Sequence, residues 1–243
     1  MEKYELPIPI WESPKSEGIV YEKEYTSSFV TVDQLQNKRI QFRPMYQEQQ
    51  IKGAIPRCYI REELGELLLE VVKRLSANYS LLVYDAWRPY EVQYALYEEY
   101  YENYKKEHPY QDEITIREEV KAFVSVPSKD VNIPFVHGTG GAIDLTIIDE
   151  QGHELHMGTP FDAFCKESHT AYYEGNDVDL VAKKNRRLLY GIMTEVGFTN
   201  LPTEWWHYDY GDYFWAYYTG NKARYKGVLD ENGIYTKDEE RGR

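Results

Sequence analysis

The sequence predicts an α+β fold, a single domain with a central antiparallel sheet flanked by helices. Three observations predict it. Stretches with helical period and stretches with strand period are interleaved along the chain. A turn signal, Asp149-Glu150-Gln151-Gly152, follows one strand and allows a hairpin return. A late aromatic strand, Thr203–Tyr210, then follows the last long helix, and together these favour antiparallel pairing. The 243 residues suffice for one sizeable core.

The elements can be justified in order. Residues 1–30 carry Pro7, Pro9, Pro14 and Gly18 without a period, and read as an extended arm. In Arg61–Ala77, Leu64, Leu67, Leu68, Val71, Val72 and Leu75 fall on one helical face. Ser80–Trp87 reads as a buried strand that runs into Asp85-Ala86-Trp87-Arg88-Pro89. Pro89 suits the first turn of a helix from Tyr90 to about His108, because its missing N–H is an orphan there. Glu113–Phe123 reads as a shorter helix. Ala142–Ile148 alternates as a strand, and His153–Met157 is the expected returning partner. Val178–Val196 reads as a helix stopped by Gly197. Residues 211–243 are left as a C-terminal tail.

Composition narrows the function. There are 28 basic and 41 acidic side chains, a net charge of −13, so nothing draws the chain to nucleic-acid phosphates or anionic lipid. No apolar run approaches the length of a membrane span, so none is expected. The N-terminus has no signal-peptide pattern, and a cytoplasmic location is expected. Cys58 and Cys165 make no disulfide framework and are expected to be buried thiols. The 24 tyrosines either drift with composition or line a broad cleft.

Three segments carry chemistry. In His137-Gly138-Thr139-Gly140-Gly141-Ala142-Ile143-Asp144, glycines surround a histidine just before a strand, and Asp144 interrupts apolar neighbours. A carboxylate buried there needs a partner, a metal or an arginine. In Glu204-Trp205-Trp206-His207, a regular strand would send Glu204 and His207 to opposite faces. If both serve one site, the chain must be irregular at the strand's start. Taken together, His137, Asp144 and His207 make a three-ligand set for a catalytic zinc with one position open. Glu204, not a ligand, would then be the base that activates a water. Arg88 leaves the end of a buried strand. It either stabilises an oxyanion or pairs structurally with Asp85 or Glu91.

The order of these segments, Arg at a strand end, then H-x-x-G-x-A-x-D, then E-x-W-H, resembles the M15 family of zinc peptidases, in its D-alanyl-D-alanine dipeptidase branch. The resemblance runs from about Tyr21 to His207 and takes in Cys58-Tyr59-Ile60-Arg61, Met157-Gly158-Thr159-Pro160-Phe161-Asp162 and Asn185-Arg186-Arg187-Leu188-Leu189. It implies one zinc per chain on His137, Asp144 and His207, with Glu204 as general base and Arg88 as transition-state stabiliser. It also implies that Asp162 receives the free ammonium of a small D-Ala-D-Ala-like peptide, with Tyr25 lining that pocket. One departure is Phe135, where the family usually has Ser two residues before the first histidine ligand. The rival expectations are a carboxypeptidase acting on longer muropeptides and a non-catalytic binding module with a structural metal.

Overall fold

The structure is a computed structural model that describes residues 4–15, 18–23, 25, 27–121, 124–175 and 179–234. In chain order its elements are β1 (Phe29–Thr31), β2 (Ile40–Phe42), α1 (Met45–Glu48), β3 (Tyr59–Arg61), α2 (Glu62–Arg74), β4 (Ser80–Asp85), α3 (Tyr90–Glu107), α4 (Glu113–Lys121), β5 (Ala142–Ile148), α5 (Leu180–Glu195), β6 (Thr199–Asn200), β7 (His207–Asp209) and α6 (Tyr213–Thr219). Short 3₁₀ turns join several of them. The expected ends of the fourth and fifth helices at residues 122–123 and 178 lie outside the described residues, as do residues 1–3 of the arm and 235–243 of the tail.

The main sheet has five strands in the order β2-β4-β5-β7-β6, and β1 pairs with β3 in a separate antiparallel ribbon. The expected antiparallel sheet needs one correction. β2 runs parallel to β4, because the connection between them carries helix α2 and crosses over. The three other pairings are antiparallel.

The helices form for the reasons the pattern gives. Leu64, Leu68, Val71, Val72 and Leu75 of the α2 segment are buried in the principal core with Leu81, Val83, Ile143, Leu145 and Ile147 of the sheet. Glu62 and Glu63 in the first turn and Lys73 and Arg74 in the last complement the helix dipole. α3 and α4 enclose a satellite core of Tyr97, Tyr101, Ile116, Val120 and Val124. That core answers the tyrosine question in part. Many of these rings pack inside the fold, among them Tyr208, Tyr213 and Tyr225.

Several expectations shift. The turn after β5 forms, with Asp149 N–H donating to His153 O at 2.9 Å, but the return holds only one bridge, Ile148 to Glu154. The late strand is shorter than Thr203–Tyr210, since residues 201–206 make a turn before β7. The segment after residue 210 is not a plain tail. Asp212 caps α6 by accepting from Trp215 N–H at 3.0 Å, and Tyr213 and Trp215 are buried. The arm also lies against the body, for Ile8 is buried and Tyr21 bridges to Ala223. Of the two thiols, Cys58 is buried as expected and Cys165 is exposed, on an irregular loop rather than in the core.

Candidate metal centre and its cavity

Strand register builds half of this site. Asp144 on β5 lies directly opposite His207 on β7, and directly paired residues bring their side chains within reach. His207 Nδ1 is 3.0 Å from Asp144 Oδ1. His137 arrives from the 3₁₀ turn Val136–Thr139 that precedes β5, with Nε2 at 3.2 Å from His207 Nδ1 and 3.4 Å from Asp144 Oδ2. Gly140 makes this approach possible. It ends the 3₁₀ turn at φ 74°, and a Cβ there would run into the Phe29 ring.

The outer nitrogens of both rings are engaged, and this fixes which nitrogen faces inward. His137 Nδ1–H donates to Ala86 O at 2.8 Å, and His207 Nε2–H donates to Asp209 Oδ1 at 2.8 Å. The lone pairs of His137 Nε2 and His207 Nδ1 are thereby turned toward Asp144. Such outer partners are what orient histidine ligands at a metal. A bulge between Val83 and Asp85 in β4 carries Ala86 O to the back of His137. The three donors are buried and lie within 4.8 Å of one another. Two imidazoles and a carboxylate at this spacing fit a zinc ion with an open coordination position.

Glu204 stands beside this set and not in it. The turn before β7 closes with Glu204 N–H donating to Leu201 O and His207 N–H to Glu204 O, at 3.1 and 3.3 Å. Asn200 holds the same turn through Glu204 O and His207 O. The irregularity required for Glu204 and His207 to serve one site is therefore this turn. Glu204 Oε2 is 3.9 Å from His207 Nδ1. Burial pushes its carboxyl up to about 7, against the opposing pull of His207.

Arg88 is buried behind the donors. Its Nε and Nη2 both reach Asp85 Oδ2, at 2.9 and 2.8 Å, and Nη1 donates to Gln93 Oε1 at 2.7 Å. The structural pairing of Arg88 with Asp85 is thus present, and Asp144 Oδ2 lies 3.6 Å from Nη2. Nη2 also donates to Tyr46 Oη at 3.0 Å, and Tyr46 O–H donates to Asp162 Oδ2 at 3.1 Å. Burial raises the Tyr46 phenol, which keeps it protonated as the donor of that chain. Burial likewise pushes the Asp162 carboxyl well above its ordinary value, with the Asp144 charge adding to the rise. A cation brought beside Asp162 would reverse this.

The three donors, Glu204, Arg88, Gln93, Tyr46 and Asp162 open on one cavity of about 440 Å3, which Phe135, Phe164 and Tyr100 also line. The Phe135 ring is buried and packs on Gly138. Tyr25 is not among the residues at this cavity. Its hydroxyl donates to Glu63 at 2.6 Å, its ring packs on Tyr225, and it lines a separate groove with Arg61 and Arg224. A polar partner on α2 drew Tyr25 away, which an unstructured arm could not reveal. Sequence reasoning missed Tyr46, Gln93 and Asp209. Asp209 had a signal, two residues beyond His207 on a strand, while Tyr46 had none.

With this geometry in view, the chain can be set beside known proteins. The M15 peptidase family model, described as D-ala-D-ala dipeptidase, matches residues 22–223. This chain belongs to the M15 peptidase family. The M15 match spans every residue of the cavity named above. Three relatives named D-alanyl-D-alanine dipeptidase are similar to it. That of Synechocystis sp. is 28% identical over 59% of this chain and 64% of its own length. That of Escherichia coli is 45% identical over 33% and 40%, and that of Enterococcus faecium 34% identical over 60% and 70%. The match thus spans less than two thirds of the first two relatives' lengths. Among the described residues no helix is long and apolar enough to cross a membrane.

Proposed function

We propose that this chain is a zinc-dependent dipeptidase that hydrolyses D-alanyl-D-alanine or a similar small cell-wall-derived dipeptide. The observation that carries the reading is the set of three buried donors, His137, Asp144 and His207, whose inward atoms converge at the wall of one cavity. The names of the M15 relatives support the substrate class.

A zinc ion held by those three residues would supply Lewis-acid polarisation of the scissile carbonyl and a water acidified to near neutral pKa. The chain's own groups account for the rest. Glu204, with a carboxyl near 7, is poised to take a proton from the attacking water and return it to the leaving amine. Arg88 remains a cation, because the anions around it outweigh burial, and it is held rigidly by Asp85 and Gln93. A fixed cation facing the cavity stabilises oxyanion charge as it develops. Asp162 receives the substrate's free ammonium, which would hold its carboxyl ionised. Phe135, buried against Gly138, fills the wall where the family usually carries a serine, and this favours a short substrate over a long stem peptide.

The test is a panel of D,D-, L,D- and L,L-dipeptides, with N-acetylated D-Ala-D-Ala and a pentapeptide stem, each assayed with and without a chelator and after zinc add-back. The expected result is chelator-sensitive hydrolysis that is far faster on free dipeptides than on the acetylated or longer peptides, whose slow cleavage remains measurable. Equal cleavage of the acetylated peptide or the pentapeptide would replace the dipeptidase by a carboxypeptidase. No turnover of any member by the zinc-loaded protein would leave a binding module.

A further inference from the structure

Asp162 sits on a loop that lacks a strand ladder. Residues 157–169 run through turns, and Asp162 itself lies at φ 58°, in the left-handed region that Asp tolerates better than most non-glycine residues. Phe161 anchors the tip, stacked on Tyr84 at 4.6 Å and edge-on to Trp206 at 5.5 Å. The two ends of the loop are held by a single side chain from α5.

That side chain is Arg186, 1% exposed. Its Nε donates to Met157 O at 2.7 Å, Nη1 to His169 O at 2.7 Å and Nη2 to Glu167 O at 2.8 Å. All three bonds go to main-chain carbonyls, and the first two close the loop's mouth across one guanidinium. The guanidinium lies 4.7 Å over the Tyr173 ring, which occupies the space a Cβ on Gly158 would need. From this mouth the loop is tied to the catalytic turn. Trp205 N–H donates to Ser168 O at 3.1 Å and Trp205 Nε1–H to Thr159 Oγ1 at 2.9 Å. Trp205 is the neighbour of Glu204 in the chain.

We propose that Arg186 is a positioning residue, whose three-carbonyl clasp holds the Asp162 loop in register with the metal centre and so sets the preference for a free amino end. The inference rests on reading Asp162 as the ammonium's partner. A planar fork is required because three acceptors surround it in one plane's reach, and the flexible point charge of lysine cannot satisfy them together. A purely structural arginine would instead lower stability and leave the selectivity of the folded enzyme alone.

The test compares wild type with Arg186→Lys and with Gly158→Ala, which disturbs the same mouth through Tyr173 and leaves the buried charge in place. In the zinc-loaded proteins, KM for free D-Ala-D-Ala should rise about tenfold with kcat within about twofold, the signature of lost ground-state binding. Cleavage of the N-acetylated peptide should stay unchanged, and so should zinc content. Hydrogen exchange should quicken in residues 157–169 and not in β5 or β7. Equal losses on free and acetylated substrates would overturn the specificity role. Unchanged exchange in both variants would overturn the clasp itself. A wild type with no preference for the free amine would overturn the reading of Asp162 and the specificity role with it, whereas the exchange result would still judge the clasp.

Discussion

At the scale of single residues, function turns on groups forced to share a small buried volume. Asp144, His137 and His207 would repel or desolvate one another without a cation or protons between them. Replacing either histidine removes one donor of three. We expect His137→Ala and His207→Ala to lose most of the zinc that wild type retains on purification, measured by elemental analysis. Retention of full metal content in both would mean that the ion sits elsewhere. Glu204 makes a different prediction, since it lies beside the donors and its burial raises it to about 7. Glu204→Gln should keep both metal and fold and lose about 10²–10⁴ in kcat, the usual cost of a positioned acid–base group. Turnover within about tenfold of wild type would give the proton to another group.

At the scale of elements, the site is a matter of register and of the irregularities beside it. The pairing of β5 with β7 sets Asp144 against His207, the bulge in β4 supplies Ala86 O, and the 3₁₀ turn delivers His137. The turn depends on Gly140. Gly140→Ala would place a methyl against Phe29 in a left-handed backbone, and should cost about 1–3 kcal/mol, read from the urea midpoint of the zinc-free protein. No shift in that midpoint would show that the turn accommodates a side chain. The sequence made much of this layer legible. Leu64 to Leu75 named α2 and its buried face, and the alternation of residues 142–148 named β5. What it concealed was the parallel edge, because β2 has three residues and no pattern of its own.

At the scale of the whole molecule, the arm and the C-terminal segment close over the body and add long-range ties. Glu174 accepts from Ile8 N–H at 3.1 Å and from Arg187 Nε at 2.8 Å, which fastens the arm to α5. Burial pushes the Glu174 carboxyl up, and these bonds outweigh it, so its folded pKa lies below the ordinary value. The stabilisation is therefore fully present above the unfolded pKa of about 4.3 and is lost as pH falls through the folded value. Thermal melts of wild type and Glu174→Gln should differ most near neutrality and converge below about pH 4. A gap that stayed constant through that range would show that Glu174 acts without its charge.

The sequence by itself determined the fold class, the long helices, the central strand and the three residues that meet at the candidate metal centre. It could do so because periodicity is local, and because His, Asp and Glu among glycines and tryptophans are costly unless they act together. Only the tertiary structure decided which ring nitrogen faces inward, that Tyr46 links Arg88 to Asp162, and that Tyr25 belongs to another groove. Those outcomes depend on hydrogen bonds between residues far apart in the chain. A side chain's spacing along the sequence does not reveal which partner it will find across the fold.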